Sequence, residues 1–278
     1  MHESLTSIFN EAIDLHVHAL PDYIAYEFSA YKLVLRAKEL GFKGLLLKSH
    51  YYPTVSLAYI LEDIVKLNVF GSVTLNLTIG GFNVSTVEVA IKMGAKMVCM
   101  PTIDSWNHRH YYGKRGGGLT ILSAKGRLLP EIEEILDLIA RSNIILATGH
   151  LSPSETEILV KEALNFGIKK IIVTHPIWGP TLMTDKQRRR LAEMGAYIEF
   201  TLSALTPQRG SINPNKFVEM IHKVSPERCI LSSDYGFYID HDPLGCWLRY
   251  IPRLLKAGLL KDEIDIMIKE NPAYLLLT

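Results

Sequence analysis

Residues 143–176 read NIILATGHLSPSETEILVKEALNFGIKKIIVTHP. An apolar run, a stretch with helical spacing of its apolar residues and a second, β-branched run follow one another, the pattern of a strand, a helix and a parallel strand. Both runs end on a histidine, His150 in ATGH and His175 in VTHP. Inside the unit, Ser154 precedes Glu157 by three residues, a spacing that predicts a capping box, and Gly167 is placed as a C-cap.

The same alternation extends in both directions. Candidate strands are AIDLHVH, GLLLKSH, VTLNLTIGG, KMVCMPT, NIILATGH, KKIIVTHP, AYIEFT and RCILSSDYG. Helix candidates between them include YKLVLRAKELG, SLAYILEDIVKL, PEIEEILDLIARS, DKQRRRLAEMG and NKFVEMIHKV, with Pro130 where a first-turn proline is tolerated. Eight strands predict an α/β fold, a single (β/α)8 TIM barrel, and 278 residues fit one such domain over 1–278. A doubly wound open sheet is the alternative, but no Gly-x-Gly-x-x-Gly follows the first strand. The connection from Ile103 to about Leu128 is long, carries Gly116, Gly117 and Gly118, and reads as a binding loop or a mobile lid.

Hydrophobic residues form 48% of the chain, enough for a full core, and a formal net charge of +1 gives no field that recruits nucleic acid or membrane. The expected partner is therefore a small-molecule substrate, with homo-oligomer formation left open. Cys99, Cys229 and Cys246 are too scattered for a disulfide framework or a thiolate metal cage, read as core, and fit the cytoplasm. The first residues, MHESLTSIFNEAIDL, do not read as a signal peptide, and no apolar run approaches the roughly 20 residues of a membrane helix.

The chemistry gathers at strand ends. His16 and His18 leave one strand face about 6.5 to 7 Å apart along the backbone, close enough to chelate one ion. His150, His175 and Asp234 close the fifth, sixth and eighth candidate strands, and in a barrel those C-terminal ends share one mouth. Taken singly, each has a plain alternative: a satisfied core histidine, or an aspartate capping a turn. Imidazole and carboxylate together suit zinc and its first-row neighbours, and an ion with an open position lowers the pKa of its water to about 7. Asp234 within hydrogen-bond reach is then a general base as well as a ligand.

In these five positions the chain resembles the amidohydrolase superfamily, whose motif is His-x-His on strand one, a histidine on each of strands five and six, and an aspartate on strand eight. The tail NPAYLL at 271–276 resembles an ending common there. The resemblance implies a metal-dependent hydrolase with one or two divalent ions, most simply zinc, acting on an amide, lactone, ester or phosphoester. It also leaves room for a deaminase, a non-oxidative decarboxylase or a non-catalytic metal- or ligand-binding barrel.

One departure stands out. Two-metal members usually carry a carboxylated lysine or a glutamate on strand four, where KMVCMPT offers only Cys99 and Thr102. On strand two, Lys48 and His50 share a face; Lys48 is expected as a displaced bridging carbamate, as a cation for a substrate carboxylate, or as a lysine reaching solvent. His50 is expected to be an additional ligand or a substrate contact. In the long loop Asp104, Asn107, His108, Arg109, His110 and Arg115 are candidates, with His108, Arg109 and Arg115 set as substrate contacts. Glu199 is expected at the mouth or behind a ligand imidazole, and Arg188, Arg189 and Arg190 on a solvated helix face.

Overall fold

The computed structural model describes residues 7–114, 116–236, 242 and 244–278. Strands and helices alternate in the order β1 (Ile13–Val17), α1 (Ala30–Glu39), β2 (Gly44–Leu47), α2 (Val55–Val65), β3 (Asn68–Phe70), β4 (Ser72–Thr74), α3 (Val84–Lys92), β5 (Met97–Cys99), α4 (Trp106–Tyr111), α5 (Pro130–Ser142) and β6 (Ile145–Ala147). There follow α6 (Pro153–Asn165), β7 (Ile171–Val173), α7 (Asp185–Glu193), β8 (Tyr197–Thr201), α8 (Pro214–Val224), β9 (Cys229–Ser232), α9 (Gly245–Lys256), α10 (Lys261–Asp265) and α11 (Asn271–Leu277). Pairing is parallel throughout, in one run β1-β2-β3 and a second run from β4 to β9.

The two runs meet at Gly71, which separates β3 from β4, so these are halves of one barrel strand. A Cβ at Gly71 would lie 2.5 Å from Val55 Cα, and only glycine lets the start of α2 come so close. Side chains carry the pairing across the break: Ser72 N donates to Thr54 Oγ1 at 2.9 Å, and Thr54 Oγ1 and Ser72 Oγ donate to Leu47 O at 2.7 and 2.8 Å. Beyond β9, Asp234 N donates to His16 O and His18 N to Tyr235 O, both at 2.9 Å, which joins the last strand to the first. Eight parallel strands thus form the (β/α)8 arrangement expected from the alternation.

Alternation along the strands sorts two apolar layers. Ile13, Leu15, Leu46, Met97, Cys99, Ile145, Ala147, Ile172, Tyr197 and Ile230 fill the barrel, and Leu275 and Leu276 of α11 pack with them. Neighbouring residues such as Leu45, Leu47, Val98, Val173, Ile198 and Phe200 join the outer layer under the helices. The NPAYLL tail is accounted for here: Asn271 Nδ2 donates to Pro226 O and Cys229 O, pinning α11 to the start of β9.

Local details correct the sequence reading. The capping box of α6 is formed by Ser152 and Glu155, because Pro153 occupies the first helical position and Ser154 is already inside. Helix α3 was not among the candidates, although Asn83 caps it by accepting from Thr86 N. Of the three arginines on α7, Arg189 and Arg190 are exposed but Arg188 is buried, bonded to Met183 O and Asp185. The long loop is also tied down. Asp104 accepts from Leu77 N, Ser105 Oγ and Asn107 Nδ2 donate to His150 O, and Thr120 Oγ1 donates to Glu155. Those bonds, and the short helix α4, tie the described parts of the segment to the barrel mouth.

Candidate metal centre

Strict alternation on β1 would send His16 outward, since Ile13 and Leu15 face the interior. The pairing register with β2 shifts between Asp14 and Val17, an irregularity that re-aims the following side chains. Asp14, on the outer side, accepts from Trp247 Nε1 at 3.0 Å and from the backbone of His16 and Ser233. His16 and His18 then meet at the mouth, with Nε2 atoms 3.2 Å apart.

Three backbone positions at other strand ends take left-handed conformations. Gly149 (φ 59°) lies so close to Met100 O that a Cβ would sit 2.2 Å from it, and it turns the chain to present His150. His175 (φ 25°) and Asp234 (φ 49°) hold positive φ despite carrying side chains, strain of the kind that gathers at functional sites.

The result is one continuous histidine cluster. Asp234 Oδ1 lies 3.3 Å from His16 Nε2 and 3.7 Å from His18 Nε2, and the ligand atoms of these three buried residues fall within 4.8 Å of one another. Opposite, His150 Nε2 and His175 Nε2 are 3.2 Å apart. Ring centroids link the halves, 5.9 Å from His16 to His175, 4.8 Å from His18 to His50 and 6.2 Å from His50 to His150. The five expected ligands therefore come together as a triad and a pair.

Two imidazole nitrogens aimed at one point repel unless a proton or a cation lies between them. Four ligands at 2.0–2.1 Å around a tetrahedral zinc are separated by about 3.3–3.4 Å, close to three of these four spacings. The residues present thus fit a divalent ion in size and in donor type. Burial, with neighbouring cationic groups, pushes His18 and His150 well below the ordinary histidine value, His50 to about 3 and His175 to about 4, which keeps them in the neutral form that ligates.

Behind the cluster stand orienting groups. Glu199 Oε1, facing inward from β8, is 3.0 Å from His16 Nδ1 and accepts from Ser232 Oγ at 2.8 Å; Oε2 accepts from His175 N. Burial raises the Glu199 carboxyl, but His16, Lys48 and His175 outweigh it and hold the group well below its usual value. Asp234 ends lowered in the same way, burial being outweighed by His16, Arg209 and His175, and its Oδ2 accepts from Ser203 Oγ at 2.9 Å. His50 Nδ1 is 2.8 Å from Thr102 Oγ1.

Lys48 is 4% exposed, which removes the solvent-reaching alternative, and as an ammonium it would act on His18, His50, His150, His175 and Glu199. From the loop, buried His108 joins the cluster, its Nδ1 2.8 Å from His150 Nδ1. Arg109 is not brought in: it donates to Gly116 O and faces Asp104 at 3.7 Å. His110 stacks on exposed Trp106, and Arg115 lies outside the described residues. Sequence reasoning missed Arg209, Trp178, Ser203 and Tyr26; no strand-end pattern marks them, because Ser203 and Arg209 lie in the 3-10 turns Leu202–Leu205 and Pro207–Arg209 and Trp178 and Tyr26 lie in the connections after strands.

Solved structures share the fold. An amidohydrolase from Pseudomonas aeruginosa aligns with a TM-score of 0.66 at 13% identity over 98% of both chains. A lactonase from Listeria monocytogenes gives 0.64 at 12%, covering 97% of this chain and 95% of its own. A point mutant of the organophosphorus hydrolase from Deinococcus radiodurans gives 0.63 at 12%, over 98% and 94%. The likeness is one of fold, and it bears out the barrel that the resemblance to the amidohydrolase superfamily implied. No curated protein matches the chain in sequence. A family model matches residues 11–199, and the chain belongs to that family, DUF6282, a family of unknown function.

Proposed function

We propose that this protein is a metal-dependent hydrolase that adds water to a small-molecule lactone, ester, amide or phosphoester, with zinc as the resident ion and one or two ions per chain. The observation that supports it is the convergence of His16 Nε2, His18 Nε2 and Asp234 Oδ1 within 4.8 Å of one another at the C-terminal ends of β1 and β9, with His150 and His175 facing them. His16, His18 and Asp234 would hold a divalent ion there, which would lower the pKa of a bound water toward neutrality and polarise the bond under attack.

The chain's own groups divide the remaining work. Glu199 accepts from His16 Nδ1–H and so leaves the Nε2 lone pair for the ion. Asp234, kept ionised and fixed through Oδ2 by Ser203, takes the proton of the attacking water at Oδ1. Lys48, buried among the imidazoles, is the further ligand in carbamylated form or, as an ammonium, a charge beside the bond under attack. His50 is a substrate contact at the end of β2, and His108, with Nδ1 2.8 Å from His150 Nδ1, orients that imidazole from the loop side. The three buried free thiols agree with a cytoplasmic enzyme, and no helix among the described residues is long and apolar enough to cross a membrane.

The test is metal content per chain with turnover on a panel of lactones, carboxylic esters, amides and phosphotriesters, before and after chelation. Bound zinc and hydrolysis that chelation abolishes and zinc restores are expected. A metal-loaded protein inert over the whole panel, or activity indifferent to chelation, rejects the reading. Two ions falling to fewer in Lys48→Ala marks Lys48 as a ligand.

A further inference from the structure

Asn76, just past β4, is fully buried. Its backbone carbonyl accepts from Ile79 N and Gly81 N and so closes the 3-10 turn Leu77–Ile79, but its side chain makes no cap bond there and reaches instead to the ends of β2 and β5. Oδ1 accepts from Thr102 N at 2.8 Å and from Asp104 N at 3.4 Å, and Nδ2 donates to His50 O at 2.9 Å. A backbone N–H only donates and a carbonyl only accepts, so these partners fix which end of the amide is oxygen and which is nitrogen.

The second Nδ2 proton goes to Thr102 Oγ1, 2.7 Å away. Thr102 is 1% exposed, and its hydroxyl has one other partner among the described residues, His50 Nδ1 at 2.8 Å. A buried hydroxyl needs an acceptor for its own proton, and since the oxygen already accepts from Asn76, that proton points at Nδ1. An imidazole that accepts at Nδ1 carries its proton at Nε2. With the proton on Nδ1 instead, the Thr102 oxygen would face two donors and its own hydrogen would have no acceptor.

The position of that proton decides what His50 can do. Its ring packs on His18 at 4.8 Å between centroids and stands 6.2 Å from His150, so by place alone it belongs with the ligands. A protonated Nε2 has no lone pair to give an ion. We infer that Asn76 and Thr102 are positioning residues that hold His50 in its Nε2–H form, so that at the proposed centre His50 donates a hydrogen bond to an oxygen of bound water or substrate and does not ligate the ion. The metal beside it rests on the function proposed above, whereas the proton's position does not. A fixed neutral donor stabilises charge that develops on such an oxygen without adding a charge of its own.

The experiment is nitrogen-15 NMR of the full chain labelled at histidine, in chelator and then zinc-loaded, with the His50 ring signals identified by their loss in His50→Gln. Wild type is expected to show a proton-bearing, pyrrole-type Nε2 and a pyridine-type Nδ1 in both states. Thr102→Val is expected to shift the Nδ1 resonance toward that of an unbonded ring nitrogen, Thr102→Ser to restore it, and His50→Gln to keep the zinc content of wild type. A wild-type proton on Nδ1, an Nε2 that loses its proton on zinc loading, an Nδ1 resonance indifferent to Thr102→Val, or an ion lost in His50→Gln overturns the inference. The wild-type spectrum decides even if the valine variant does not fold. A chain that holds no zinc and hydrolyses nothing sinks the proposed function, while the tautomer measured in chelator stands by itself, so the two failures separate.

Discussion

On one side of the mouth His16 and His18 face Asp234, and His16 is backed by the Glu199 carboxylate at 3.0 Å. On the other, His150 and His175 face each other and are backed by neutral groups, the His108 imidazole at 2.8 Å and Thr181 Oγ1 at 3.2 Å. A carboxylate behind a ligand imidazole raises its basicity and neutralises part of the ion's charge, whereas an imidazole or hydroxyl fixes orientation alone. On the proposed reading the β1–β9 side would hold a cation tightly, and the β6–β7 side would complete its coordination or hold a second, more exchangeable ion.

The largest effects belong to the first side. His16→Ala is expected to leave the protein without tightly bound zinc, and Asp234→Asn to cut turnover by a factor on the order of 10² or more. His150→Ala should keep one ion per chain while losing activity. Metal analysis of dialysed protein decides it: equal zinc loss in His16→Ala and His150→Ala would erase the contrast between the two sides. Next in size comes Glu199→Gln, expected to weaken zinc affinity by about 10- to 100-fold in competition with a chromophoric chelator. An unchanged affinity would mean that the carboxylate behind His16 does not tune it.

Much of this arrangement was legible in the chain. Eight apolar runs gave the barrel, and the residues ending five of them gave the cluster, because strand ends converge whatever the loops do. The geometry that makes it work was not. The register shift between Asp14 and Val17, which turns His16 inward, leaves no mark in AIDLHVH, whose simple alternation gives the right shared face for the two histidines without saying which face. Gly71 splitting one strand, Pro153 moving the α6 cap from Ser154 to Ser152, and Arg188 folding under its own helix are contact effects that a local pattern does not encode. Arg209 escaped for the same reason, being placed by Trp178 and Asp234 from distant segments.

Acid should act on the metal-free mouth in a defined direction. Burial holds His50 at about 3 and His175 at about 4, against an ordinary 6.5, so between those values the unfolded chain binds more protons than the folded one. Stability is then expected to rise as pH goes from about 4 to 6.5, each group contributing up to about 1.4 kcal/mol per pH unit, and to be lost as pH falls through that window. Asp14, raised by burial to about 6 from 3.8, has the opposite sign, because the folded state holds its proton longer and stability falls as pH rises between those values. Urea unfolding in chelator at several pH values measures the sum. Stability that is flat or decreasing from pH 4.5 to 6.5 contradicts the burial of these imidazoles in neutral form.

The smallest expected effect bears most directly on how the weaker side is built. Two Nδ1 atoms 2.8 Å apart, in rings tilted by only 16°, share a single proton between them. If His150 offers the Nε2 lone pair to an ion, its Nδ1 carries that proton and His108 accepts it. An acceptor is then what position 108 must provide, and charge or bulk matters less. His108→Asn, whose carbonyl oxygen can accept, should retain zinc binding within about threefold, while His108→Leu should lose about tenfold, with the deficit in whatever ion His150 and His175 hold. The loop's anchoring does not depend on this imidazole, since Ser105 and Asn107 bond His150 O independently. Equal losses in the asparagine and leucine variants would show that His108 packs against His150 without orienting it.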